Sequence, residues 1–133
     1  MNIYIAGSFG ERFRLRGYRG MLEKRGYTVT ASWLDIPARD LALGSEERMR
    51  VDAALDFSEV GQSDLVIVDT LVPSSTGGSD AEMGFAFGRM KRVWVVGPVR
   101  NLYHTIARRR FHNWDEMFAA LLFVALRGER AHT

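Results

Sequence analysis

Three apolar runs constrain this chain more than any other feature. Ile3-Tyr4-Ile5-Ala6, Leu65-Val66-Ile67-Val68 and Val93-Trp94-Val95-Val96 are continuous rather than alternating. A strand with no polar alternation is covered on both faces, as in parallel sheets flanked by helices. Segments of helical period separate the runs. Residues 12–25 place Leu15, Tyr18, Met21, Leu22 and Arg25 on one face, although Gly17 and Gly20 weaken that helix, and Gly26 ends it. Tyr27 to Ser32 is a second strand, and residues 33–44 are irregular. Ser45 is an N-cap, with Glu46 and Glu47 in the first turn of a helix whose apolar stripe is Met49, Ala53, Phe57 and Val60. Residues 80–90 and 114–126 complete the helices. The expected fold is α/β: a small doubly wound parallel sheet of four strands with helices on both faces. A fifth strand has room but no evident signal.

The chain's 133 residues fit one domain spanning 1–133, and 47% hydrophobic content suffices for a core. No apolar run reaches the length of a membrane span, and Met1 to Gly7 lacks the charged start of a signal peptide. The sequence has no cysteine, which excludes disulfides, thiolate metal sites and thiol nucleophiles. The expected setting is cytoplasmic, with no membrane partner. Net charge is +2, with arginines clustered at Arg12, Arg14, Arg16 and Arg19 and again at Arg108 to Arg110. Such clusters can bind nucleic acid or phosphate, but no nucleic-acid motif accompanies them. A solvated helix face with paired acids explains them better. His104, His112 and His132 have no metal-ligand spacing, so neither a metal nor a cofactor is expected.

The chemistry concentrates after the central strand. Thr76-Gly77-Gly78-Ser79-Asp80-Ala81-Glu82-Met83-Gly84 joins that strand to the next helix, where open α/β sheets bind ligands. Glu82 falls near the helix start, whose N–H groups favour an ionised carboxylate. Such a carboxylate can attack the anomeric carbon of a sugar, or can serve only the helix dipole. The glycines around it, Gly84 included, let a ligand approach the backbone. Asp56 flanks the stripe of the preceding helix, with Asp52 one turn earlier on the same face. From spacing alone Asp56 reads better as a solvated aspartate than as a site acid. Asp64 starts the central strand as a turn residue, and Asp69 ends it at the ligand edge. Gly7, Ser8 and Phe9 form a glycine turn after the first strand that can cradle a phosphate, although it is neither GxGxxG nor a Walker loop. Tyr4 reads as core packing, and Phe9 as a base-stacking or an ordinary apolar residue.

Taken together in order, these pieces resemble the nucleoside 2-deoxyribosyltransferase-like family. The resemblance runs from Tyr4 to about Trp114. It rests on Ile3-Tyr4-Ile5-Ala6-Gly7-Ser8, on Asp56 eight residues ahead of Asp64, and on Gly-Gly-x-x-x-Glu-x-Gly-x-Ala from Gly77 to Ala86. Val96-Gly97-Pro98 followed by Asn101-Leu102-Tyr103 completes it. The resemblance implies that Glu82 is a nucleophile toward C1′ of a deoxyribose, that Asp56 assists protonation of the base, and that Tyr4 positions the nucleophile. It places Ser8 and Thr76 at the 5′ end of the substrate, and the two glycine loops and the strand end add Gly7, Phe9, Asp69, Gly77 and Gly78 as candidate substrate-binding residues. Asn101 and Tyr103 match residues lent by a neighbouring subunit, so a homo-oligomer with shared sites is implied.

Members acting on free nucleosides resemble one another in an aspartate six residues before the nucleophile. Here that position is Thr76, and Ser8 stands where they tend to have glycine. These features look like the branch that hydrolyses nucleoside 5′-monophosphates, since hydroxyls donate to a phosphate that an aspartate would repel. Arg12 or Arg14 adds positive charge there. The expected function is cleavage of the N-glycosidic bond of a 2′-deoxynucleoside or its 5′-monophosphate, with hydrolysis or transfer to another base. A non-catalytic nucleotide-binding module and a glycohydrolase of another ribosyl compound such as NAD are the alternatives. Residues 33–44, such as Trp33, Leu34 and Ile36, are expected to form the base pocket.

Overall fold

The computed structural model describes residues 1–37, 46–74 and 77–126; Ser45, Thr76 and His132 lie outside them. Five strands form one sheet: β1 (Asn2–Ala6), β2 (Thr28–Val29), β3 (Leu65–Asp69), β4 (Arg92–Val96) and β5 (Arg109–Phe111). Their order is β2-β1-β3-β4-β5, and every pair is parallel. Among the described residues the helices are α1 (Arg12–Lys24), α2 (Glu46–Gly61), α3 (Gly78–Gly88) and α4 (Trp114–Leu126). Tyr18 of α1 stacks on Trp114 of α4 with ring centroids 4.4 Å apart, which puts these two helices together on one face. Phe57 of α2 stacks on Phe85 of α3 at 4.7 Å, which pairs the other two. The doubly wound fold expected from the three apolar runs is present. All five residues of β3, and Ile3 to Ala6 of β1, are buried because helices cover both sides.

Several local expectations change. The second strand is only Thr28–Val29, not Tyr27 to Ser32. Its end is set by tertiary contacts: the Ser32 N–H donates to Glu59 Oε1 at 3.0 Å, and the Trp33 indole donates to the Ile5 carbonyl at 2.8 Å. These bonds turn Ser32–Asp35 into a short 3-10 helix within the stretch expected to be irregular. The fifth strand is real and lies at the sheet edge. Its arginines hid it, because an exposed edge strand needs no apolar pattern and is commonly charged. Phe111 still packs against Trp94, with centroids 5.4 Å apart.

The stripe expected on α2 is mostly not core. Val60 is buried, but Met49 is 53% exposed and Ala53 is exposed as well. Only the end of the helix packs on the sheet, which leaves its first turns free to wall a cleft. Helix α3 spans Gly78–Gly88 rather than residues 80–90, so Glu82 falls in its second turn.

The strand order reverses between β1 and β3. The crevice beyond their carboxyl ends is the place where such sheets hold ligands. Gly97 locks the neighbouring β4 end. It sits at φ 123°, and a Cβ there would lie 2.5 Å from Thr70 Oγ1 and 2.7 Å from the Leu71 nitrogen. Gly97→Ala is therefore expected to cost about 3 kcal/mol or more, from a forbidden dihedral plus a clash with backbone. Urea denaturation of the variant beside the parent measures it. Among the described residues, no helix is long and apolar enough to cross a membrane.

Candidate active site

Tyr4 is fully buried in β1, beside the central strand, and its hydroxyl donates to Glu82 Oε2 on α3. A phenol inside a sheet needs a partner for its O–H, and the carboxyl group supplies it. Tyr4 is therefore more than core packing. Glu82 is 8% exposed, and that burial pushes its carboxyl up to about 8. The Tyr4 hydrogen bond opposes the rise, while the charges of Asp56 and Glu59 add to it. The sequence placed Glu82 among helix N–H groups that would keep it ionised. That effect fades beyond the first turn, and desolvation dominates in the second. Burial and the nearby carboxylates hold the Tyr4 hydroxyl far above its usual range, so it stays a donor.

Asp56 reaches the same cleft from α2. Burial, then Glu59 and Asp52, push its carboxyl up to about 7. This is not the solvated aspartate that spacing favoured. Its helix stands off the sheet and turns that face toward Glu82. Two carboxyl groups with raised affinity for protons in one cleft mark a site suited to acid–base or nucleophilic work.

The cleft encloses about 310 Å³ between Gly7, Phe9, Trp33, Ile36, Met49, Asp52, Asp56, Gly78, Ser79 and Glu82. Phe9 and Trp33 form one wall, tilted 31° to each other with centroids 6.1 Å apart. Gly7 is closely packed, since a Cβ there would meet Leu15 Cδ1 at 3.0 Å and push that side chain aside. Glu82, Asp56, Gly7, Phe9 and Gly78 thus come together as the sequence suggested, with Tyr4 behind Glu82. Trp33 and Ile36 wall the cleft as expected, whereas Leu34 is buried in the core. Ser79 and Met49 were missed as wall residues. Met49 carried the helical spacing of a core residue, and Ser79 stood inside the Gly-rich loop with nothing to separate it from its neighbours.

Other expected residues lie elsewhere. Ser8 is half-buried at the start of the Phe9–Glu11 3-10 turn and does not line the cleft. Gly77 precedes α3 in the left-handed conformation at φ 76°, outside the lining. Thr76 falls outside the described residues. Asp69 is committed to the framework. Its two oxygens accept from both terminal nitrogens of Arg14 at 2.9 and 3.0 Å, from the Trp114 indole at 2.7 Å, and from the Leu71 N–H at 3.1 Å. Gly84 also faces away from Glu82. It lines a separate groove of about 330 Å³ with Met83, Phe87, Asn101 and Tyr103. There Asn101 caps the Leu102–Ile106 turn, accepting from the N–H groups of Tyr103 and His104, and donates to Asp80 at 3.2 Å. Two of the four arginines of the first cluster are paired, Arg14 with Glu11 and Asp69 and Arg19 with Asp35. This is the solvated, ion-paired face that the sequence favoured.

A parallel sheet of order 2-1-3-4-5, with a buried tyrosine–glutamate pair and an aspartate at its switch point, defines the class of fold. Solved structures share the fold. A 2-deoxyribosyltransferase from Bacillus psychrosaccharolyticus superposes with a TM-score of 0.72 at 20% identity, covering 91% of this chain and 96% of that one. A CMP N-glycosidase from Clostridium botulinum superposes with a TM-score of 0.60 at 18% identity, covering 92% and 99%. The chain therefore has the fold of the nucleoside 2-deoxyribosyltransferase-like proteins over nearly its whole length. No protein-family model and no curated protein sequence matches it.

Proposed function

We propose that this protein is an enzyme of the nucleoside 2-deoxyribosyltransferase-like family that cleaves the N-glycosidic bond of a 2′-deoxynucleoside or its 5′-monophosphate. The observation that carries this reading is Glu82, buried at the end of a cleft, held by the Tyr4 hydroxyl and faced by Asp56. In the ionised form, one Glu82 oxygen attacks C1′ while Tyr4 holds the other. The bond from C1′ to the base nitrogen breaks, its electron pair stays on the base, and the Asp56 carboxyl supplies the proton. The oxocarbenium-like charge is stabilised and then trapped as a glycosyl ester of Glu82. Water or a second base then attacks C1′, Asp56 takes the released proton, and Glu82 leaves. Two displacements retain the anomeric configuration.

A 5′-monophosphate substrate is favoured by Arg12, which lies beside the cleft residue Phe9 although it does not itself line the cleft. Arg14 is bound to Asp69, but Arg12 is not used in this way. Its guanidinium lies 3.7 Å over the Phe9 ring, it donates to the Phe9 carbonyl, and its buried Nε has no hydrogen-bond partner. A phosphate beside Phe9 would give that nitrogen an acceptor, and Ser8 and backbone N–H groups lie on the same turn. With no acceptor base present, water completes the reaction. Asn101 and Tyr103 reach the site of a second copy, which makes the active form a homo-oligomer.

Incubation with deoxynucleosides, deoxynucleotides, ribonucleotides and NAD, each with and without a free acceptor base, tests the reading by product identification. Free base from deoxynucleoside 5′-monophosphates is the expected product. Nucleotide binding with no base released from any compound would instead identify a binding module, and release of nicotinamide alone a different glycohydrolase.

The two carboxyl groups also fix the pH dependence. The productive state has Glu82 ionised and Asp56 protonated. Activity should rise with pH as Glu82, near 8, loses its proton, and fall as Asp56, near 7, loses its own. The productive form is then a minority species, and kcat/KM is expected to be bell-shaped with its maximum about halfway between these values. A profile flat across neutral pH would contradict the assignment of both groups.

A further inference from the structure

We infer that Asp52 determines base specificity: its carboxylate accepts a hydrogen bond from an exocyclic amino group, so the cleft takes nucleotides of amino-bearing bases over their keto counterparts. This rests on the reading of the cleft as a nucleotide site. It goes beyond that reading by assigning a base class and the residue that selects it.

Beyond glycines and the apolar side chains of Phe9, Trp33, Ile36 and Met49, the groups lining the cleft are Ser79, Asp52, Asp56 and Glu82. Among the described residues, lysine, arginine, histidine, asparagine and glutamine do not contribute to it. An ionised carboxylate only accepts hydrogen bonds, so a ligand group placed against Asp52 must be the donor.

Position then separates the three acids. Glu82 is buried at the inner end, where C1′ must lie for attack. Asp56 stands across from it, next to the glycosidic nitrogen and the ring atoms that receive a proton. Asp52 precedes Asp56 by four residues, which places it on the same helix face one turn away. Its side chain is 28% exposed, at the outer rim. A base held between the aromatic wall and Met49 extends from the sugar toward this rim. The edge remote from the sugar carries the exocyclic group, an amine in cytosine and adenine and a carbonyl in uracil and hypoxanthine. An amine donates to Asp52. A carbonyl would oppose acceptor to acceptor and leave both short of partners as water is displaced.

The charges around Asp52 fit this role. Arg48, one turn earlier on the same helix, forms an ion pair with Asp52 at 3.7 Å between Nε and Oδ2, longer than a hydrogen bond and outside the cleft lining, so the carboxylate keeps its acceptor capacity toward the cleft. Asp52 and Asp56 line the cleft together, and Glu59 behind them adds its charge to the potential at Asp56. Asp52 itself raises the Asp56 carboxyl, so it has an electrostatic effect that any test must separate from recognition.

The test compares the paired substrates dCMP with dUMP and dAMP with dIMP, using kcat/KM for the parent and for Asp52→Asn. The parent is expected to favour the amino member of at least one pair by about tenfold or more. Asp52→Asn, whose amide both donates and accepts, should bring that ratio to within about twofold of unity, mainly through KM. A purely electrostatic role would shift the pH profile and change both members of a pair equally, leaving the ratio intact. That result, or a parent that favours the keto members, would overturn the inference. The same ratios read as dissociation constants by calorimetry in a Glu82→Gln background keep base recognition measurable if turnover is absent. Nucleotides that bind with an Asp52-dependent ratio but are never cleaved would support the inference while overturning the catalytic reading. Absence of binding by every nucleotide would overturn both.

Discussion

Glu82→Gln is expected to abolish base release and, above neutral pH, to make the protein more stable. The two effects share one cause. Burial raises the Glu82 carboxyl to about 8 in the folded state, from an ordinary value of 4.5 in the unfolded chain. A folded group with a raised value favours folding fully below its unfolded value, and that contribution is lost as pH rises through the folded one. Between these values the unfolded chain ionises Glu82 while the folded protein keeps it neutral. At about 1.4 kcal/mol per unit, the parent loses on the order of a few kcal/mol across this window. Glutamine cannot ionise, but its carbonyl oxygen still accepts from Tyr4. Urea unfolding of the variant and the parent should therefore coincide near pH 4 and diverge by about pH 9, with the variant the more stable. Activity should fall by a factor on the order of a thousand or more, since glutamine forms no glycosyl ester. The ester itself is visible in the parent as a mass increase equal to the sugar fragment after rapid quenching. A variant that released base at the parent rate would sink the catalytic assignment, and a variant no more stable than the parent at high pH would sink the burial argument.

Asp69→Ala carries the largest expected loss of stability. The Asp69 side chain is 1% exposed and accepts four hydrogen bonds that tie β3 to α1, to α4 and to the following turn. Removing it leaves the Arg14 guanidinium and the Trp114 indole without their shared acceptor, in a region where water cannot replace it. Breaking one side of such a buried pair costs about 3–5 kcal/mol. Asp69→Asn keeps the shape and one acceptor oxygen, so it should lose less. A thermal unfolding series of the three proteins at neutral pH measures both. If Asp69 instead bound substrate as its main role, the alanine variant would unfold like the parent and show only a raised KM.

The parent sequence made the sheet legible because each buried strand is an unbroken apolar run, and a covered parallel strand has no other solution. β5 escaped notice for the converse reason, as an edge strand pairs through its backbone and carries arginines outward. Met49 and Ala53 illustrate a different failure. Helical spacing reports that a face is apolar, but it does not say whether that face meets the sheet or a cleft. Glu82 was legible from its loop, Asp56 only through family resemblance, and Ser79 not at all.

The order of elements, the switch point and the presence of a carboxylate beside it follow from the sequence itself, because they depend on local period and on glycine. Three matters were settled only by the tertiary structure. These are the union of Tyr4 with Glu82 across 78 positions of chain, the hydrogen bonds that tie Asp69 to Arg14 and Trp114, and the rise of the Glu82 and Asp56 carboxyls. Each depends on how far water is excluded and which distant groups replace it, and desolvation is a property of the packed molecule rather than of any segment.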